Sequence, residues 1–495
     1  MRNTLRTAAL LLFSLTLASN SFAAAKITIK NTDAAGVGFN DATAAAPVGG
    51  NPGTTVGQQR MNAFLEAARI WGEQLDSPIE ITIDASFAPL SCTATSGTLG
   101  SAGPTKIVSD FPNAPKAGVW YPMALANKLA GENLDPGNAQ IRARFNGNLG
   151  NTGCLERSKW YYGLDNNHGR DTDLVVVLLH EFAHGLGIIG GITINDPSVT
   201  PGPNDPVTGT FRSNGKPFIY DLHALDNVTG LRMDQMSDAQ RAAAVTADQK
   251  VVWDGDAVRP AAANLLLSVP RLTITSASGT SSFEVAQASF GASVKASGVT
   301  APIIVANDAV EAQSGSTAAG TTLDGCSSYS NAAAVAGNFA IVNEGRCTDV
   351  EKAKRAQEAG AIGLLIAAKA VTVNIYTPIG FEPSITIPVL GMFKNDGDAV
   401  RAAGTVTGSA FPDLTKLTGA DTNGHPKLYM PVTAEPGSTY SHFDRSATPN
   451  LLMEPSINGD LTHSTDLTLS MLLDIGWGLV ITPPPVITGR RFLKR

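Results

Sequence analysis

Leu174-Val-Val-Val-Leu-Leu-His180-Glu181-Phe182-Ala183-His184-Gly185-Leu186-Gly187 is an apolar run that ends in an HExxH motif and then in glycines. On a helix, residues four apart share a face, so His180 and His184 can reach one ion with Glu181 beside them. The apolar setting sharpens this reading. Two imidazoles and a carboxylate among Leu and Val lose hydration, and a metal ion supplies the missing partner. The ion expected is zinc, which with three protein ligands keeps a fourth position for water, whose proton a neighbouring carboxylate can accept. The residue types therefore point to metal-assisted hydrolysis, with Glu181 as general base and His180 and His184 as metal ligands.

The rest of the chain limits the alternatives. Its 495 residues carry 49 glycines and 29 prolines, are 43% hydrophobic and 16% charged, and have room for about three domains. Residues 1–25 read as a secretory signal: Arg2 and Arg6, an apolar core from Ala8 to Ala18, and the small residues Ala23, Ala24 and Ala25. The chain is thus expected to be secreted, to the periplasm or the exterior, with no integral membrane segment once the signal is removed. Losing Arg2 and Arg6 takes the formal charge from −7 to −9, which excludes a basic nucleic-acid footprint. Four cysteines in an exported chain imply two disulfides; three pairings are possible, and proximity favours Cys92 with Cys154 and Cys326 with Cys347.

Around the motif, Met61, Phe64, Leu65, Ala68, Trp71 and Leu75 fall at helical spacing, while Ile79–Ala85 and Gln140–Asn146 alternate as half-buried strands. The pattern predicts an α+β domain with a strand edge near the metal, suited to an extended peptide. The glycines after the motif end the helix, and position 190, where a short HExxHxxGxxH site places its third histidine, holds Gly190. A third ligand must come from His168, His223, His425, His442 or His463.

The stretch Ser441-His442-Phe443-Asp444-Arg445-Ser446-Ala447-Thr448-Pro449-Asn450-Leu451-Leu452-Met453 resembles the far half of a leishmanolysin-type metzincin site. That resemblance implies that His442, eleven residues before Met453, is the third zinc ligand and that Met453 is the apolar floor under the metal. The chain departs from the family in the 258 residues that separate His184 from His442. An inserted folded domain can bring such distant ends together. His463 is the rival ligand. Met453 is followed by Glu454-Pro455, without a tyrosine at the next-but-one position, which leaves Tyr440 and His463 as the candidates for oxyanion support.

Within the insertion, Asn338–Thr348, Lys352–Ile366 and Ile387-Pro388-Val389 give a strand, a helix with Ala353, Ala356 and Ala359 on one side, a glycine turn and a further strand. This resembles a protease-associated (PA) domain, a family of lids or substrate-interaction modules without catalytic residues. The expected organisation is a signal at 1–25, a first catalytic part at 26–195, an insert at 196–280, a PA-like domain at 281–411, a second catalytic part at 412–480 and a basic tail at 481–495. The expected fold is a discontinuous α+β, metzincin-like zincin domain with an inserted α/β PA domain. The expected activity is a zinc-dependent endopeptidase acting on protein or peptide substrates. The alternative is a PA-domain protein that binds peptide or surface partners through a degenerate peptidase core.

Overall fold

The computed structural model describes residues 24–194, 207–310, 320–372 and 375–480. Apart from its last two residues, the expected signal lies outside the described residues, as does the tail 481–495. No helix among the described residues is long and apolar enough to cross a membrane.

The alternating segments form strands. Ile81–Ala88 buries every second side chain, Ile81, Ile83, Ala85 and Phe87, and Ile141–Asn146 does the same with Ile141, Ala143 and Phe145. They pair in parallel, Ile27–Asn31 extends the sheet on one side, and Gly100–Pro104 runs antiparallel to Ile141–Asn146 as the opposite edge. The helix Val56–Gln74 starts at Thr55, whose hydroxyl accepts the Gln58 N–H, and turns Ala63, Phe64, Ala67 and Trp71 to the core. Phe64 meets Phe39, Phe87, Phe145 and Phe182 in an aromatic cluster with centroids 4.7 to 6.0 Å from that of Phe64.

The motif helix runs from Leu174 to Leu186 and is capped by Asp173, whose carboxylate accepts from the Val175 and Val176 N–H groups. Its first six side chains are buried, each contributing roughly 1.5–3 kcal/mol relative to exposure. Trp71 Nε1 donates to Leu179 O and Trp477 Nε1 to Leu186 O, so the helix is pinned from both ends of the chain. Leu75–Asp76 pairs antiparallel with Gly478–Leu479, and the C-terminal helix Asp466–Asp474 buries Leu467, Met471 and Leu472 in the same core. Parts of the chain from 26–195 and from 412–480 thus share one hydrophobic core.

The packing divides the expected insert 196–280 between two cores. Phe211, Tyr220, Met233, Val251, Trp253, Val258 and Leu266 belong to the core that holds the motif helix, while Leu272 and Ile274 pack with the PA-like sheet. Scattered large apolar side chains on short elements anchor the first of these parts. The PA-like sheet is also wider than 281–411. Its eight strands run in the order Gly279–Glu284, Ser268–Ser276, Val406–Leu417, Val299–Val305, Phe339–Asn343, Gly363–Ala367, Val389–Met392, Ala286–Gln287, with Ser268–Ser276 antiparallel to Val406–Leu417. The helix Asp349–Glu358 packs on this sheet through Ala353 and Ala356. Both disulfides join the pairs expected, Cys92 with Cys154 and Cys326 with Cys347.

Gly185 lets the motif helix lie against the sheet, because a Cβ there would sit 2.5 Å from the Ile141 side chain. Gly185→Val therefore overpacks this contact and should destabilise the fold by about 1–3 kcal/mol in urea denaturation. Unchanged stability would show that the helix and sheet can part without cost.

Candidate metal centre

The structure brings His180, His184 and His442 together: one ring nitrogen from each lies within 4.8 Å of the others. Ring centroids are 4.9 to 5.1 Å apart. His180 and His184 come from one helical face. His442 arrives from a loop held by backbone bonds, with Tyr429 N–H donating to His442 O, Tyr440 N–H to Tyr429 O and Phe443 N–H to Met453 O.

Each imidazole spends its Nδ1 on a carbonyl. His180 Nδ1 lies 2.7 Å from Leu452 O, His184 Nδ1 2.6 Å from Ile188 O and His442 Nδ1 2.7 Å from Ser438 O. A carbonyl only accepts, so each Nδ1 carries the proton and each Nε2 turns a lone pair inward. The Nε2 atoms of His180 and His442 are 3.2 Å apart. Burial, with the neighbouring His184 adding to it, pushes His180 down to about 3. Burial also lowers His184 and takes His442 well below its ordinary value, so no ring supplies a second proton. Three converging neutral imidazole nitrogens are a donor set that fits zinc or another borderline divalent ion.

Glu181 is buried beside them. Its Oε2 accepts the N–H of Ala102, 2.7 Å away on the edge strand, and no hydrogen bond to Oε1 is found among the described residues. Burial raises the carboxyl to about 8, against the pull of the Ala102 N–H. The strand Gly100–Pro104 thus runs along the site, with Gly100 leaving room for Phe145 and Glu181.

Met453 is fully buried between two contacts that matter to the triad: Leu452 O receives His180, and Met453 O receives Phe443 N–H. Asp466 accepts the Leu452 N–H at 2.5 Å, and Glu454 accepts the Leu451 N–H at 2.9 Å and the Asn458 amide at 2.8 Å. Burial lifts Glu454 to about 8. These carboxylates fix the turn that orients His180, and nothing in the sequence singled them out.

The two alternative candidates named from the sequence lie elsewhere. His463 is not a ligand: its Nε2 lies 3.1 Å from the carboxylate of Asp173, at the start of the motif helix, roughly 10 Å along the axis from His180 at 1.5 Å per residue. Tyr440 is not placed for oxyanion support, because its buried hydroxyl donates to Asp221 at 2.7 Å. Its ring fills the space beside Gly190, where a Cβ would lie 2.1 Å from Tyr440 Cε1. The glycine at 190 is there to admit that ring.

Residues 299–400 match the PA domain family, so the chain carries a PA domain. A curated relative, the ER degradation-enhancing alpha-mannosidase-like protein 3 of Xenopus laevis, is 32% identical over 87 residues, which cover 16% of this chain and 10% of the relative. The chain spans about a tenth of that relative's length. Among solved structures, a zinc aminopeptidase from Bacillus subtilis is similar at 26% identity and a TM-score of 0.22, over 34% of this chain and 38% of its own. An aminopeptidase from Aneurinibacillus sp. strain AM-1 is similar at 14% identity and a TM-score of 0.23, over 39% and 41% of the two chains. The subtilisin-like protease Apa1 of Pseudoalteromonas sp. AS-11 is similar at 13% identity and a TM-score of 0.21, over 34% and 36%. At such TM-scores none of these bears on the architecture around the histidines, which lie outside the matched PA segment.

Asp173 both caps the motif helix and meets His463, and substitutions separate the two contributions. Asp173→Ala should cost about 1–2 kcal/mol in denaturant unfolding through loss of the cap, whereas His463→Ala, which leaves the cap in place, should cost less. Equal losses would assign the stability to the ion pair.

Proposed function

We propose that the chain is an exported zinc-dependent endopeptidase with a metzincin-like zincin domain, in which His180, His184 and His442 hold the metal and Glu181 is the general base. The observation that carries the reading is the set of three Nε2 lone pairs aimed at one point, each fixed by a carbonyl on Nδ1. Zinc held there supplies a Lewis acid and an activated water at neutral pH. Glu181, tied by one oxygen to Ala102, takes the proton on the other and returns it to the leaving amine. The edge strand Gly100–Pro104 offers a sheet edge along the site to an extended peptide, which favours cleavage within a chain. Two disulfides suit an oxidising compartment and support export.

The PA domain is proposed to meet the substrate. Its Phe381, still 43% exposed, reaches the loop that follows Met453, where a Cβ on Gly459 would be 3.1 Å from the ring. The alternative of a non-catalytic binding protein is disfavoured because both halves of the site, His180, Glu181, His184 and His442, are intact.

Purified mature chain should hydrolyse a denatured protein, lose activity to a chelator and regain it with zinc; full activity after thorough metal removal would overturn the reading. Glu181→Gln should keep one equivalent of metal while turnover falls about 10²–10⁴-fold. His442→Ala should release the metal and His463→Ala should retain it, as judged by metal analysis.

A further inference from the structure

One buried carboxylate joins the two halves of the centre. Asp221 sits in the turn Ile219–Leu222 and is fully buried. Its Oδ1 accepts the Gly191 N–H at 2.9 Å and the Tyr440 hydroxyl at 2.7 Å, and its Oδ2 accepts the Phe218 N–H at 2.7 Å. Gly191 lies just past the motif helix, and Tyr440 stands two residues before His442. The neighbouring Tyr220 hydroxyl donates to Tyr440 O at 2.7 Å. Gly190 N–H donates to Ser441 Oγ at 3.1 Å, so the helix exit and the third-ligand loop also touch directly.

Tyr440 needs such restraint. Its φ of 81° lies in the left-handed region, which a bulky side chain adopts only when its surroundings impose it. That conformation is set just upstream of His442. Gly191 adds a second constraint, since a Cβ there would lie 2.5 Å from Asp221 Oδ2. The carboxylate and the helix exit are fitted to each other. A buried acid costs more in stability than a neutral side chain of similar size, so its place between these two loops argues for positional work.

We propose that Asp221 is the positioning residue of the metal centre, fixing the His442 loop against the motif helix through Tyr440 and Gly191. Asp221 belongs to the segment read from sequence as an insert, so that segment completes the site. The inference rests on the reading of His180, His184 and His442 as metal ligands.

Cobalt(II) titration of the mature full-length chain tests it, read by the visible absorption band and by apparent affinity. Asp221→Asn and Tyr440→Phe should each weaken cobalt affinity about 10–100-fold and alter the band. The double variant should lose little more than either alone, because both act through one contact. Leu125→Ala, a buried change beside Gly476 at a residue with no hydrogen bond to Asp221 or Tyr440, measures the effect of lost stability and should leave affinity within a few-fold of wild type. Wild-type affinity in Asp221→Asn, or losses that simply add and are matched by Leu125→Ala, would overturn the proposal. A wild-type chain that takes up no cobalt, or His442→Ala binding it normally, would instead overturn the underlying metal reading, and the positioning role with it.

Discussion

The centre depends on a proton assignment. Three backbone carbonyls, of Leu452, Ile188 and Ser438, each accept a hydrogen bond from the Nδ1–H of one imidazole. That leaves three Nε2 lone pairs turned toward one another, with no N–H or O–H donor to them found among the described residues, an arrangement suited to a cation between them. The carbonyls come from three places in the chain, and much of the surrounding structure serves to hold those places still. Asp466 and Glu454 brace the turn at Leu452, the short turn after the motif helix presents Ile188, and the loop from Glu435 to Tyr440 presents Ser438.

The convergence of the three imidazoles is therefore a property of backbone as much as of side chains. The loop carrying His442 is one rung of a ladder that begins in the middle of the chain. Leu428 N–H donates to Val251 O and Trp253 N–H to Pro426 O, which places the segment around Tyr429 on Val251–Trp253. Tyr429 in turn bonds Tyr440 and His442, and Phe443 bonds Met453. Asp474 accepts the Trp253 indole at 2.9 Å and the Ala257 N–H at 2.7 Å, tying the ladder to the C-terminal helix. The loop of the third imidazole thus also leans on a sheet fragment, Val251–Trp253, that contributes none of the three histidines.

What could be read from the sequence follows from range. His180, Glu181 and His184 were legible because helix geometry alone puts ligands four apart on one face. His442 came into view only by resemblance, since no local rule links residues 258 apart. The edge strand Gly100-Ser101-Ala102-Gly103-Pro104 shows neither alternation nor branched side chains and owes its conformation to pairing with Ile141–Phe145. Asp221, Glu454 and Asp466 look in sequence like any surface acid, and only the folded chain distinguishes them, by the burial of Asp221 and Glu454 and by the Leu452 N–H that Asp466 accepts. In the PA domain the inner strands and the alanine-faced helix were legible from pattern. The outer pair Ser268–Ser276 and Val406–Leu417 was not assigned to that sheet, because their partnership joins distant stretches of chain.

The long separation of the ligands has a consequence for the life of the chain. At roughly 5–20 residues per second, synthesis takes on the order of 13–50 s to travel from His184 to His442. A chain interrupted anywhere in that interval carries the HExxH helix but only two of the three converging imidazoles. The split therefore acts as a test of completeness: the three imidazoles converge only when nearly the whole polypeptide exists and the segment carrying His442 has met the motif helix. Fragments left by premature termination inherit the motif without its third imidazole.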